Sequence, residues 1–581
     1  MSIKYLIKRI ATYFRPYALL AVFAIISAII YVFSTLFAPI LVGYIIDELD
    51  ILVDHSILTN NFYVYLYSLI GTVAIGALFG YIMSYLLSKL AYLMMRDLRK
   101  DAFFKINKLP VAYIDSHSHG DLLSRIISDI DTVSEGLLQT FTEAITGIIT
   151  IAVTLVFMLT LNFKIGLIVV GLTPLSLIGA TFIAKMSFKT FKNQATARGK
   201  LTGFVNEMVE NQLVVKAYGM EKTNVATFNA LDDELYTYGV NAQFYSSLAN
   251  PTTRFVNAII YLVVATYGAI SVVSGASALT VGKLSIFLSY ASSYTKPFNS
   301  ISAVAAELQN SFASLRRICE FLDEKEIPNE ANLATLEEIT GKITFDNVEF
   351  SYNKEHKLIE NFSLSCKPGE QIAIVGPTGC GKTTMINLLM RFYDINSGDI
   401  LVDDKSIYEI SRKSLREHMG MVLQDTWLFE GTIFENIAYG KDNATKEEVI
   451  AAAKKAYAHE FIMQLKDGYD TKVSNTDGMS IGQKQLLCIA RLMLRLPNVL
   501  ILDEATSNID TRMEIMISKA FKEMMKGRTT FIIAHRLSTI KNADKIIVMK
   551  DGHIVEVGRH EQLLARNGFY TAIYNSQFQV K

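Results

Sequence analysis

Residues 376–384 read GPTGCGKTT, preceded by the apolar run QIAIV (371–375) and followed by MINLLM (385–390), which has the character of a helix. Strand, glycine-rich loop and helix, in that order, make a phosphate cradle. The glycines let backbone N–H groups turn inward, and the first turn of the helix adds partial positive charge. In a loop of the form G-x-x-x-x-G-K-[ST], Lys382 reaches the β- and γ-phosphates of a nucleotide and the hydroxyl of Thr383 holds Mg2+. The candidate phosphate-binding residues are therefore Gly376, Pro377, Thr378, Gly379, Cys380, Gly381, Lys382, Thr383 and Thr384. This half of the chain is expected to be an α/β domain that binds a nucleoside triphosphate.

Composition limits what such a nucleotide drives. The chain has 581 residues, is 51% hydrophobic and has a mean hydropathy of +0.28, so membrane segments are expected. Its net charge of zero argues against a nucleic-acid surface as the main partner. The four cysteines, Cys319, Cys366, Cys380 and Cys488, stand at neither metal-ligand nor redox spacing, which suits a reducing compartment. Cys380 sits near a helix N-terminus, which would favour the thiolate, or is a small buried residue that does not react. The opening MSIKYLIKRI lacks the apolar core of a signal peptide and resembles a basic amphipathic helix at a membrane surface, or a plain solvated helix.

No charged residue occurs from 17 to 46, and a span needs about 20 apolar residues. Further spans are expected at about 62–88, 144–161, 165–184 and 255–278, with a sixth from about 284 that Lys296 and Pro297 interrupt. Six spans put both termini on one side. Lys8, Arg9, Arg15, Lys89, Arg96, Arg99, Lys100, Lys185, Lys189 and Lys192 crowd the ends facing that side, while Asp47, Glu48, Asp50 and Asp54 follow the first span. The positive-inside rule then places the termini and the nucleotide domain in the cytoplasm. The polar stretches 89–143 and 185–254 read as helices prolonged beyond the bilayer, with reversals at 116–120 and 218–220. His117 and His119, without further ligands, read as part of a solvated turn. At about 1.5 Å per residue, Lys296 lies some 20 Å into a core about 30 Å thick, where it either faces a substrate cavity or snorkels to the headgroups.

A charged, proline-containing stretch at 323–340 is the expected linker between a membrane domain (1–322) and the nucleotide domain (341–581). Strands return at 341–350, Tyr352 follows in FSY, and 421–424 is a short strand ending in Gln424. The buried run VLIL at 499–502 ends in Asp503 and Glu504, and TTFIIA at 529–534 ends at His535. Acids at the carboxyl end of a parallel strand beside a phosphate loop are placed for metal and for an attacking water. Asp503 would organise the metal and Glu504 would polarise the water.

Taken in order, these motifs resemble those of the ATP-binding cassette transporters, specifically exporters with six helices fused to one cassette. The resemblance covers essentially the whole chain, including YIDSHSHGDLLSR (113–125) as the first coupling helix and the region of Tyr218 as the second. It implies ATP and Mg2+ as ligands, with Tyr352 stacking on adenine and 376–384 as the phosphate loop. Gln424 would sense nucleotide and help hold the metal with Thr383 and Asp503. SNID (507–510, ending in Asp510) would be the D-loop and His535 the switch histidine. Catalysis would rest on Glu504, His535, Lys382 and Gln424.

One motif departs from the pattern. The usual LSGGQ signature is MSIGQ here, residues 479–483. In the family it completes the ATP site of a second cassette, and Ser480, Gly482 and Gln483 retain that chemistry. Ile481 is β-branched, so a backbone conformation open only to glycine would be penalised there. The resemblance thus extends to heterodimeric bacterial multidrug exporters with one degenerate site. It implies a partner half-transporter with an intact LSGGQ and no catalytic glutamate after its Walker B aspartate; the alternative is a homodimer in which Ile481 is a tolerated variation. The expected cargo is a hydrophobic or amphipathic small molecule, lipid or peptide, exported across the cytoplasmic membrane. An importer or ATP-gated channel on the same architecture remains the alternative.

Overall fold

A computed structural model describes residues 1–581 apart from 56–59, 275–278, 354–356, 424–425, 475–477, 504–508, 534–539 and 579–581. It also leaves aside the side chains of 52–55, 175–177, 179–185, 188, 249–250, 253, 299, 301–303, 305–306 and 577–578. The chain forms two compact units: Met1–Lys108 with His117–Lys325, and Leu109–Ser116 with Glu326–Lys581.

The first unit is helical. Its elements are α1 (Ile3–Phe14), α2 (Ala18–His55), α3 (Asn60–Ile106), and, past α4 (Val111–Asp115) of the second unit, α5 (His119–Ile126) and α6 (Ser128–Leu161). They continue as α7 (Phe163–Glu210), α8 (Gln212–Ala217), α9 (Glu221–Ser247), α10 (Ala249–Val273) and α11 (Val281–Leu322). Among the described residues, four helical stretches are long and apolar enough to cross a membrane: Ile3–Ile51, Asn60–Ile106, His119–Leu161 and Arg254–Val273. Phe163–Pro174 is a shorter apolar helix. The remaining expected spans fall in α7 and α11, which run for 48 and 42 residues. Contrary to expectation, Lys296 and Pro297 do not break the last one. A proline costs its helix one hydrogen bond and a clash, but packing against neighbouring helices holds the helix continuous through it; α11 lies along α6 and α2.

Polar contacts fix several crossings. Asn162 ends α6 and caps α7 by accepting from the N–H groups of Lys164 and Ile165. The Asp129 carboxylate, nearly fully buried, forms an ion pair with Arg317 whose Nε–Oδ2 distance is 2.9 Å. Asp47 on α2 accepts from Gly282 N–H and from the Thr280 hydroxyl, both at 2.8 Å, and so caps the start of α11. A Cβ on Gly282 would stand 2.0 Å from the carbonyl oxygen of Gly43, so the two helices touch backbone to backbone there. The expected reversals are present: α4 and α5 are separated at Ser116–Ser118, and α8 ends before Gly219, whose φ is +63°.

The second unit carries two main sheets. One is antiparallel in the order β2-β1-β4-β5, built from β1 (Ile343–Phe350), β2 (Ile359–Cys366), β4 (Ser397–Val402) and β5 (Lys405–Ser406). The other has the order β12-β11-β3-β10-β9-β6 and uses β3 (Gln371–Val375), β6 (Met419–Val422), β9 (Val499–Asp503), β10 (Thr529–Ile533), β11 (Lys545–Lys550) and β12 (His553–Gly558). All its neighbours are parallel except β12 on β11. A small pair, β7 (Gly431–Thr432) with β8 (Lys472–Val473), completes the strands. Every residue of β9 and β10 is buried, as parallel strands covered on both faces must be. One core, including Phe345, Phe362, Ile386 and Phe531, fills the space between the two sheets and α12 (Lys382–Leu389). A second core packs β9 and β10 against helices Ile481–Leu494 and Thr511–Met525.

The stretch 326–340 is bound to this unit rather than loose. Ala334 bridges Ile410, Leu336 N–H donates to Ser414 Oγ at 2.7 Å, and Glu330 takes an ion pair with Arg412.

Candidate nucleotide site

Two ends of the parallel sheet build the site. β3 and β9 both pair with β10, so Val375 and Asp503 finish on the same carboxyl edge with one strand between them. That is where ligands gather on open α/β sheets.

From Val375 the chain turns through the glycine-rich loop into α12. Gly379 and Gly381 have φ of +84° and +100°, a region that side-chain-bearing residues rarely adopt, and Gly381 caps α12. A Cβ on Gly376 would lie 2.3 Å from the carbonyl oxygen of Met549. Lys382 Nζ bends back over the loop, donating to the carbonyls of Gly376 (2.7 Å) and Pro377 (2.9 Å). The ammonium group thus rests on weak neutral acceptors inside the cradle, ready to exchange them for an anion. Pro377, Thr378 and Gly379 are exposed, as is Thr383, whereas Thr384 is buried.

Of the two expectations for Cys380, the structure supports the buried one. It is 4% exposed, and burial pushes its thiol above the ordinary range, with Lys382 only partly opposing. Desolvation of the anion outweighs the helix terminus.

Tyr352 is half exposed, and its hydroxyl donates to Thr384 Oγ1 at 3.2 Å. Its ring meets those of Phe350 and Tyr393 edge-on, each at 4.9 Å. Tyr393 was not singled out from the sequence, and no local pattern marks it. Its hydroxyl donates to Asp115 of α4 at 2.5 Å, a partner 278 residues away. Burial and that carboxylate both raise the Tyr393 hydroxyl above its usual range, so it stays a donor.

Asp503 is 9% exposed at the end of β9. Thr383 and Asp503 offer only oxygen donors, a hydroxyl and a carboxylate, which fit a small hard dication such as Mg2+. Glu504, Gln424, His535 and Ser507 lie outside the described residues.

The signature segment is away from any strain. Ser480 caps helix Ile481–Leu494 through a reciprocal pair: its Oγ accepts from Gln483 N–H at 3.2 Å, and Gln483 Oε1 accepts from Ser480 N–H at 3.0 Å. Ile481 is the first helical residue and does not take a positive φ. The backbone penalty expected at Ile481 is therefore absent, because this position is ordinary right-handed helix. What remains is its side chain, 48% exposed. Gly482 is needed for packing instead: a Cβ there would lie 2.8 Å from Met513 Cβ and 3.0 Å from Ile509 Cγ2. Asp510 caps the neighbouring helix by accepting from the N–H groups of Arg512 (3.1 Å) and Met513 (3.0 Å).

Comparison with known proteins agrees with this geometry. The sequence profile of the ABC transporter transmembrane region matches residues 21–298, and that of the ABC transporter family matches residues 359–507. A fatty acid ABC transporter ATP-binding/permease protein of Mycobacterium bovis is 42% identical over 82% of this chain and 75% of its own length. A Staphylococcus aureus protein named as a candidate multidrug export ATP-binding/permease protein is 35% identical over 98% of this chain and 100% of its own. Among solved structures, a bacterial Atm1-family ABC exporter with ATP bound superposes with a TM-score of 0.78 at 27% identity, covering 96% of this chain and 98% of that one. The chain belongs to the ATP-binding cassette transporter family. It is a membrane-embedded exporter half-transporter that binds ATP and couples its hydrolysis to transport.

Proposed function

We propose that this chain is one half of a dimeric exporter that moves hydrophobic or amphipathic compounds out of the cytoplasm, with its nucleotide unit and both termini on the cytoplasmic side. The observation that carries this reading is the membership of α4 in the nucleotide unit. α4 is the reversal between the long helices α3 and α6, so any motion of the cassette is delivered to a stretch continuous with two spans.

At the site, Lys382 would leave the loop carbonyls for the β- and γ-phosphates, while the loop N–H groups receive the remaining phosphate oxygens. Thr383 and Asp503, with Gln424, would hold Mg2+, which when bound neutralises phosphate charge. Tyr352 would stack on adenine, and Glu504 would take the proton of the attacking water with His535 beside the γ-phosphate. Ser480, Gly482 and Gln483 would present a helix N-terminus to the nucleotide of the partner cassette, next to Asp510.

The same requirement asks for a second half-transporter. Leu213 and Val214 on α8 are exposed, and the nucleotide unit carries a groove of about 770 Å³ lined by Trp427, Tyr439, Arg491 and Leu492. In a dimer, α8 of this chain would seat in the matching groove of the partner. The Ile481 side chain would crowd the partner's nucleotide, which favours a heterodimer whose other chain has an intact LSGGQ and lacks the Walker B glutamate. The relatives' printed activities suggest fatty acids or drugs as cargo classes.

The test is ATP-dependent accumulation of a fluorescent fatty acid in inside-out vesicles bearing this chain, alone and with the product of a co-expressed partner gene. Uptake that needs the partner and hydrolysable ATP is expected. Robust hydrolysis and uptake by the chain alone would overturn the heterodimer, and movement in the opposite orientation would overturn export.

A further inference from the structure

Within the helical unit, α2, α6 and α11 line a half-open cavity of about 230 Å³ whose wall includes Tyr31, Thr35, Glu143, Thr150, Ser293 and the exposed Lys296. Hydroxyls and two opposite charges line it, although α2 and α6 lie in stretches whose mean hydropathy reaches 2.5 and 2.4. Lys296 stands fifteen residues into α11 (296 − 281), about 22 Å from its start at 1.5 Å per residue. Glu143 stands eighteen residues before the end of α6 (161 − 143), about 27 Å by the same measure. Lys296 therefore lies within the span and Glu143 at its edge, both in the half far from the α6–α7 turn.

The backbone adds to this polarity. Pro297 has no N–H, so the carbonyl of Ser293 lacks its helical donor and is left as an acceptor at the cavity wall. Gly147 admits the proline ring: a Cβ there would lie 3.3 Å from Pro297 Cβ, so α6 passes close to α11 at this point.

Among the described residues neither Lys296 nor Glu143 forms an ion pair. Charges in a membrane are retained for function and face a partner or a cavity. The cavity is smaller than the roughly 300–1,000 Å³ typical of sites that enclose a whole drug-sized ligand. It suits a polar head whose tail stays among apolar side chains. A purely anionic head would meet Lys296 but oppose Glu143, and a purely cationic one would do the reverse. Only a head bearing both signs satisfies both residues at once.

We propose that this cavity receives the head group of a zwitterionic amphiphile, Lys296 binding its anionic part, Glu143 its cationic part, and the hydroxyls of Thr150 and Ser293 its remaining acceptors. This rests on the reading of the chain as an amphiphile exporter. It goes further by naming the chemistry of the head.

The experiment uses the full transporter in proteoliposomes and four probes of equal chain length: a lysophosphatidylcholine, a fatty acid, an alkylamine and a monoacylglycerol. ATP-dependent movement of each is measured for wild type, Lys296→Gln and Glu143→Gln. The zwitterion is expected to be preferred by about tenfold over the neutral probe, a difference of one decade in affinity. Lys296→Gln should abolish that preference while gaining on the alkylamine, and Glu143→Gln should abolish it while gaining on the fatty acid. Unchanged movement of the monoacylglycerol shows that each variant is folded and coupled. Movement of all four probes without head-group preference in wild type would overturn the proposal and leave amphiphile export standing. Equal loss of all four probes in both variants would also overturn it, since the residues would then be structural. No ATP-dependent movement of any probe in wild type would overturn the amphiphile reading itself.

Discussion

The hydroxyl of Tyr393 donates to the carboxylate of Asp115 at 2.5 Å, and the ring of Tyr393 stands perpendicular to that of Tyr352 at 4.9 Å. One aromatic side chain thus touches both the residue proposed for adenine and the last residue of α4. A hydrogen bond to a charged group contributes about 1.5–3 kcal/mol. Tyr393→Phe keeps the edge contact and deletes the bond. ATP affinity, followed with a fluorescent analogue, should change by less than about twofold, while substrate-stimulated hydrolysis falls about tenfold, the equivalent of about 1.4 kcal/mol. Unchanged substrate-stimulated hydrolysis in Tyr393→Phe and in Asp115→Asn would make the bond merely structural.

Glu504→Gln should leave nucleotide binding intact and slow turnover at least ~100-fold, the usual contribution of a positioned base. Steady-state ATPase of the purified transporter measures it. A normal rate would remove Glu504 from the mechanism.

Ile481→Gly probes the side chain alone, because the backbone there is already helical. If the side chain crowds the partner's nucleotide, ATP affinity at that site should rise, despite about 1 kcal/mol of lost helix propensity. An unchanged or weaker affinity for a fluorescent ATP analogue at that site would show that Ile481 is tolerated.

Ser480→Ala removes one half of a reciprocal cap and should destabilise the cassette by about 1 kcal/mol. The drop is read from denaturant unfolding in the absence of ATP. Ser480→Asp should recover most of that stability, because aspartate also caps, yet fail to recover hydrolysis, since it would set a negative charge toward the nucleotide.

The buried Cys380 thiol predicts a pH dependence with a definite sign. Its folded pKa is raised, so the native state holds the proton longer than the unfolded chain does. Stability from this group is present below the ordinary thiol pKa and declines as pH rises past it. Maleimide labelling of the native protein should be slow at neutral pH and accelerate only above that range. Cys380→Ser should flatten the high-pH loss of stability; fast labelling at neutral pH would contradict the burial.

How much of this was legible depended on whether the signal was local. The phosphate loop declared itself because its chemistry lies within nine residues, 376–384, and the first spans because apolar length is itself the signal. The sixth helix was misjudged at Lys296 and Pro297, since its continuity comes from packing against α6 and α2 rather than from its own residues. Ile481 was overcharged with strain because the motif was compared by residue type, and only the cap at Ser480 fixes that position as helix. Tyr393 was invisible: its partners lie 41 and 278 residues away, and an isolated tyrosine after Phe392 has no pattern to read.

The clasp between Asp47 and the first turn of α11 has a mechanical meaning. A carboxylate that caps one helix from the side of another, beside a glycine-to-glycine backbone contact, leaves little slack at that end. Sliding α2 along α11 there would expose two N–H or O–H donors and drive backbone into backbone. The two helices are better counted as a single strut, pivoting together, and the hinges of the transport cycle belong at other helix pairs.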